Sequence, residues 1–485
     1  MMKDIIRVFF LFLALYLLTM GGHLYSPDEE IIFRMTQSLA ERGSLAIEPL
    51  QGFATKRGVD GKEYAQYGIG QPLLTIPFYY LGKAMAAALP AEKAPKWVAD
   101  TIQYHDRTPR DVMLRLGVSI FNQTVSAMLC ALLFAFAFHI TKDRRASWMA
   151  AILFGAGTYA WVHSKPYFME PSAALFLFGS FFLLWRGLEK DSFVSVMGAG
   201  FLYAYAVLIR MDSLFMLPGF AVLIYLSRKR QWKPYLFFSP LIISGLIILY
   251  LNKMRFGTFL QTGYEDQAEG FKFSTPILGG LYGFLFTPGK GMFWFSPPLV
   301  LFFFAFGKFY KMNRSLALGL LACILSFFLV QCKWQNWAGG WCWGPRHIYQ
   351  IHVFLALPIA LLFIKPLGMK MRGIFWAFLT FGFFVQIYGA SQNFIDYYSE
   401  FFTTPDTLPN NYNAWYQESE PFLAPYYGLF IVDNNGLPIR RIPLHYVVAP
   451  IQNSIYYPQN TVWANYSTML QMGRHDFFWV KFLTR

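Results

Sequence analysis

The amino-acid sequence predicts an all-α polytopic membrane protein, and three observations predict it. Hydrophobic residues make up 55% of the 485-residue chain and charged residues only 14%, against roughly 25% charged in a soluble domain. Too little polar surface remains to cover a soluble globule, and the same composition excludes a disordered chain. Apolar runs recur from residue 1 to about 390. A run that crosses a bilayer must satisfy its own backbone hydrogen bonds, so each is expected as a helix. Lys and Arg, finally, segregate to alternate connections between these runs. The 20% share of aromatic residues suits lipid-facing and interfacial rings.

Lys3 and Arg7 precede the first apolar run, 1–20. No small-residue cleavage site follows and many further runs do, so it reads as a first transmembrane helix rather than a signal peptide. The others lie near 113–140, 146–162, 171–187, 193–209, 213–227, 235–252, 293–307, 315–331, 348–364 and 373–390, giving about eleven spans. Several are shorter than the roughly 20 residues a crossing needs and must borrow from their flanks.

With the N-terminus in the cytoplasm, the short inner segments 1–7, 141–146, 186–192, 228–233, 308–314 and 365–372 hold 17 Lys and Arg. The short outer segments 163–170, 210–212 and 331–347 hold 4. That asymmetry supports N-in and C-out. The net charge of +14 is thus largely membrane anchoring and calls for no nucleic-acid role. Two regions divide the chain: a transmembrane domain over 1–390, with a long first outer loop at 23–112, and an extracytoplasmic segment over 391–485. A further outer loop covers about 253–292. The apolar stretch Pro72–Pro90 would invert the orientation if it crossed, and is read as a re-entrant or surface-lying helix. No internal repeat is evident. Cys130 and Cys323 sit in apolar runs as packing residues, whereas Cys332 and Cys342 share a loop and could pair. The Cys spacings match no common zinc pattern.

The outer loops carry the chemistry. Ser26-Pro27-Asp28-Glu29-Glu30 opens a helix: Ser26 with Glu29 fits a capping box, Pro27 suits the first turn, and Ile31, Ile32, Met35 and Leu39 recur at helical spacing. The acids stabilise a helix N-terminus, or Asp28 serves as a general base at the membrane boundary. A glycine-rich run follows, from Gly61 through Lys62, Tyr67 and Gly70 to Pro72, which a turn alone would explain. Lys165 and Glu170 lie at the outer end of two spans, where a carboxylate caps a helix or marks a site. Arg210 and Asp212 flank another outer turn and could simply pair. Two aromatic loops complete this face: FTPGKGMFWFSPP with Lys290, and WQNWAGGWCWGPRH with Trp341, Arg346 and His347. Their rings suit an interfacial belt, but Trp also stacks on sugars, and Arg346 can hold a phosphate by two hydrogen bonds.

These motifs carry a resemblance. Over about residues 5–390 the chain resembles the GT-C superfamily of membrane glycosyltransferases, near bacterial protein O-mannosyltransferases and the aminoarabinose transferase of lipid A. The matching features are Asp28-Glu29, the YGIGQPLL run, Glu170 at a helix start, and the two aromatic loops. The resemblance implies a hexosyl- or pentosyltransferase that takes a polyprenyl-phosphate sugar from the outer leaflet and inverts the anomeric carbon. It places Asp28 at the catalytic position and Glu29 as the second acid, with Glu170, Arg346, Lys62, Tyr67, Lys165, Lys290, Trp341 and His347 lining the substrate site. One departure matters: the aminoarabinose transferase has a lysine where Tyr67 stands here. Phosphate binding is then expected from Lys62, Lys165, Lys290 or Arg346.

The resemblance implies no cofactor; a divalent metal serves some relatives, but no metal ligand is assigned here. The expected partners are the polyprenyl-phosphate donor, a lipid, glycan or protein acceptor, and the membrane. The expected location is a bacterial inner membrane, with the site extracytoplasmic. The alternative is a transporter or lipid-linked-sugar flippase without covalent chemistry. That class shows repeats and ionisable residues at mid-membrane, whereas here the candidate polar residues gather on one side.

Overall fold

A computed structural model describes residues 1–50, 54–89, 108–227, 233–264, 273–287, 290–335, 337, 339, 342–366, 368–391, 393, 430–432, 438–441 and 476–478. Helices dominate it. Five are long and apolar enough to cross a membrane: Pro109–Thr141, Glu170–Lys190, Pro234–Phe256, Arg314–Lys333 and Met369–Ser391. Other expected spans are broken by proline, which removes an intrahelical donor. The run expected at 293–307 is interrupted by Pro297 and Pro298, which form a 3-10 turn before the helix Leu301–Met312 resumes. The run at 348–364 carries Pro358 and ends in the 3-10 turn Ala360–Leu362. Within the stretch expected as an outer loop at 253–292 lies a short apolar helix, Ile277–Phe286.

Helix α1 (Met2–Leu18) leads to α2 (Pro27–Arg42), with Pro27 in the first turn as expected. The capping box does not form. Ser26 Oγ instead donates to Glu29 Oε1 at 3.0 Å, because that carboxyl turns inward toward Tyr167. A small antiparallel sheet of β1 (Ala46–Ile47), β2 (Thr55–Arg57) and β3 (Glu63–Ala65), in the order β1-β3-β2, links α2 to α3 (Gly70–Ala88).

Helix α4 (Pro109–Thr141) starts on a true capping box of Thr108 and Asp111 and runs 33 residues. At 1.5 Å per residue it is about 50 Å long, well beyond a hydrocarbon core of about 30 Å. Its outer part is therefore free to carry α3. Their backbones meet where side chains vanish: a Cβ on Gly117 would lie 2.5 Å from the Gly82 nitrogen. Phe78 and Phe121 pack edge to face beside them, at 5.4 Å.

The bundle continues through α5 (Arg144–Gly157), α6 (Glu170–Lys190), α7 (Phe193–Ile209), α8 (Leu217–Leu226) and α9 (Ser239–Phe256). The apolar face of α9 turns outward, with Ile242, Leu246 and Tyr250 each at least 60% exposed, as lipid contact requires. The two ends of the bundle differ in kind. At one end Asp4 pairs with Arg144, joining the N-terminal turn to the KDRR connection. At the other end gather the acids and arginines of the remaining connections. All four cysteines are buried thiols, and Cys332 and Cys342 form no disulfide with each other.

Candidate functional site

The three consecutive acids at the start of α2 point to three different partners, since neighbours on a helix are about 100° apart. Asp28 is 20% exposed, and its Oδ2 pairs with Arg346 Nη2 at 2.8 Å. Its Oδ1 accepts a hydrogen bond from the Tyr67 hydroxyl at 2.8 Å. Glu29 is fully buried. It accepts from the Tyr167 backbone N–H at 2.7 Å and from Ser26. Burial, aided by the Asp28 charge, raises its carboxyl to about 8, against the pull of those hydrogen bonds. Glu30, also buried, receives both Nε and Nη2 of Arg115, at 2.9 and 2.8 Å, and Arg34 Nε at 2.8 Å. It thus fastens α2 to α4.

Tyr67 is placed by backbone contact. A Cβ on Gly68 would meet the Leu208 carbonyl oxygen at 2.3 Å, and one on Gly70 would meet the Ile209 nitrogen at 2.7 Å. The glycines of the YGIGQP run therefore let this loop seat on the end of α7. Burial, and then the Asp28 charge, push the Tyr67 phenol well above its ordinary value, so it remains a donor.

Arg346 joins the two acid-bearing loops. Its guanidinium lies over the Phe168 ring at 4.7 Å. It feels the charges of both Asp28 and Glu170, and its Nε is buried without a hydrogen-bond partner among the described residues. Glu170, at the start of α6, accepts from Arg210 Nη1 at 2.6 Å. Arg210 also grips Asp212 through Nε and Nη2, and Gln331 donates to Asp212 at 3.1 Å. Tyr264 completes the group, in electrostatic contact with Arg210, Asp28, Asp212 and Arg346. Asp28, Glu170 and Arg346 thus belong to one partly buried cluster, where charges interact more strongly than in water.

The other candidates lie as follows. Lys62 is exposed and pairs with Asp60 at 3.4 Å. Lys290 is buried, and its ammonium donates to the Cys342 carbonyl at 2.6 Å, holding the loop that carries Arg346. Lys165 is buried, with its ammonium 2.6 Å from Asp476 Oδ2. His347 shares the 3-10 turn Arg346–Ile348. Trp341 falls outside the described residues.

Sequence reasoning did not assign Arg210 or Tyr264 to the site. The spacing of Arg210 and Asp212 signals a local pair, which indeed forms; the second bond, to Glu170, depends on the fold. Tyr264 carried no sequence signal. The loop 163–170 is strapped from several elements. Gln71 Nε2 donates to the Tyr167 carbonyl, Asn122 Nδ2 to that of Phe168, and His163 Nε2 meets the Trp343 carbonyl at 2.7 Å.

No protein-family model matches the chain, and no curated protein matches it by sequence. Solved structures match it by fold. Archaeal oligosaccharyltransferase AglB from Archaeoglobus fulgidus, in complex with an inhibitory peptide and a dolichol-phosphate, matches at 11% identity with a TM-score of 0.52. That match covers 93% of this chain and 64% of AglB. ArnT from Cupriavidus metallidurans in the apo state matches at 12% identity and 0.50, covering 77% of this chain and 61% of ArnT. ArnT bound to undecaprenyl phosphate matches at 10% identity and 0.49, covering 76% and 62%. The chain therefore spans somewhat over 60% of the length of each. At these identities the likeness is one of fold alone: the chain shares the all-α membrane fold of AglB and ArnT.

Proposed function

We propose that the protein is a membrane glycosyltransferase that moves a sugar from a polyprenyl-phosphate donor to an acceptor hydroxyl at the outer face. The observation that carries this is the Asp28–Arg346 pair. It sets a partly exposed carboxylate against a guanidinium whose buried Nε has no hydrogen-bond partner among the described residues, and Glu170 and Arg210 lie in the same cluster. ArnT and AglB, with which the fold is shared, were solved with undecaprenyl phosphate and dolichol-phosphate respectively.

In this reading the acceptor oxygen forms a bond to the anomeric carbon as the bond from that carbon to the phosphate oxygen breaks. Asp28 takes the hydroxyl proton. The polyprenyl phosphate departs with the bonding electrons, and Arg346 meets its growing charge with its free guanidinium edge. Arg210 is held by two acids, so it sets the charge of Glu170 rather than binding phosphate. Glu29, neutral near pH 7, spares Asp28 a second adjacent charge. Inversion and an extracytoplasmic site belong to the same proposal.

The test is transfer in reconstituted vesicles supplied with a panel of polyprenyl-phosphate sugars. Asp28→Asn is expected to fold and insert but to lose transfer by about 100-fold or more, the scale of general-base catalysis. Near-normal turnover by that variant would remove Asp28 from the mechanism. Movement of the sugar lipid across the bilayer with no covalent product would replace the transferase with a flippase.

A further inference from the structure

Asp476 reaches the site's loops from a segment far along the chain, and its surroundings are built. It is 1% exposed, and three side chains, Tyr25, Lys165 and His23, converge on its carboxylate. Its Oδ2 accepts from the Tyr25 hydroxyl at 2.6 Å and faces the Lys165 ammonium at 2.6 Å. Its Oδ1 lies 2.8 Å from His23 Nε2. Its backbone N–H donates to the Ser391 carbonyl at 3.1 Å, and that of Phe478 donates to the Met20 carbonyl at 2.9 Å. Lys165 Nζ also donates to the Ala390 carbonyl at 2.6 Å. The Phe478 ring fills the space over Gly22, where a Cβ would lie 2.5 Å from it.

The partners of Asp476 stand next to the candidate catalytic groups in the chain. Tyr25 is three residues before Asp28, and Lys165 is five residues before Glu170. Between Lys165 and Glu170 lie Tyr167, whose N–H binds Glu29, and Phe168, which supports the Arg346 guanidinium. A buried carboxylate that neutralises a buried ammonium holds both chains firmly, because losing either partner leaves the other charged and dry.

We infer that Asp476 is a positioning residue for the active site: it clamps the Asp28 loop and the Glu170 loop together from the far end of the chain. The inference rests on the proposed transfer reaction for its consequence, but not for its geometry. It also gives Lys165 a role as the clamp's cation rather than as a phosphate ligand.

Two measurements on the full-length protein test it, one of them independent of activity. The first is peptide-resolved thiol labelling of the four native, buried cysteines. Cys342 sits in the loop that the 163–170 segment contacts through His163 and Trp343, whereas Cys130 and Cys323 lie deep in the bundle. In Asp476→Ala, Cys342 should label at least tenfold faster while Cys130 and Cys323 stay protected. The double variant Lys165→Met/Asp476→Leu, which removes both charges, should restore slow labelling. Unchanged protection of Cys342 in the folded variant, or simultaneous exposure of all the cysteines, overturns the inference, the latter because it shows only global stability.

The second measurement is steady-state transfer below the melting temperature. Asp476→Ala should lower kcat at least tenfold with the donor KM within about twofold, and the double variant should recover most of kcat. Parental kcat in folded Asp476→Ala overturns the positioning role. Absence of transfer by the parent protein itself would sink the proposed function, and the labelling result would still decide the clamp.

Discussion

Glu29 shows how a step of one residue along a helix changes a carboxyl's chemistry. Its neighbours on both sides are met by arginines, at Asp28 by Arg346 and at Glu30 by Arg115 and Arg34. Glu29 is fully buried and accepts from the neutral donors Ser26 and the Tyr167 N–H, and its carboxyl rises from the ordinary range to about 8. An acid whose native value exceeds its unfolded value binds a proton more tightly when folded. Its contribution to stability is therefore complete below about pH 4.5 and is lost as pH rises toward about 8. The parent should melt at a lower temperature at pH 8.5 than at pH 5.5, and Glu29→Gln should flatten that slope; an unchanged slope would show that Glu29 is ionised throughout. The sequence marks the Asp28-Glu29-Glu30 cluster but not this division of labour. Each partner, Tyr67, Arg346, Tyr167 and Arg115, comes from a different distant segment, and helical phase alone names none of them. Arg210 escaped for the same reason: Asp212 is local and visible in the sequence, whereas Glu170 is 40 residues away.

At the scale of elements, the position of α2 depends on a buried ion pair and on two helices that touch through glycine. Arg115 gives two hydrogen bonds to Glu30 and lies over the Phe33 ring at 4.5 Å. Removing one member of such a pair typically costs about 3–5 kcal/mol, because the other stays buried and charged. Arg115→Met should therefore lower the melting temperature markedly, and it should raise hydrogen exchange in 27–42 more than in α6; equal exchange in both would show that Glu30 does not anchor α2. These helices were legible where hydrophobic periodicity ran uninterrupted: the runs expected at 113–140, 171–187 and 315–331 became helices extended by a few residues at each end. Pro297, Pro298 and Pro358 interrupt others, and there composition announces an apolar segment without saying where its hydrogen bonds stop. The helix Ile277–Phe286 falls inside the outer loop expected at 253–292, because its ten residues are too few to span a bilayer.

For the whole molecule, the decisive property is which end of the bundle faces which compartment. The charge count made every candidate acid share one side, and the fold agrees in a way that sequence alone could not require. Asp28, Glu170, Arg210 and Arg346 come from four separate interhelical connections and make contact at one end. Asp4 and Arg144 meet at another site, where the inner segments were expected to join. The charge count expects the second group at the cytoplasmic end. The proposed polyprenyl-phosphate donor would present its phosphate at one leaflet only, so an inverted chain would hold the same residues where that phosphate is not displayed. Two single substitutions read the orientation directly, since the native cysteines are buried. In right-side-out vesicles, a membrane-impermeant maleimide should label Lys62→Cys, whose parent side chain is 65% exposed, without permeabilisation. Arg145→Cys, exposed in the first turn of α5, should label only once the vesicles are opened. The opposite pattern would place the Asp28 cluster in the cytoplasm, and the donor would then have to be one displayed at the inner leaflet.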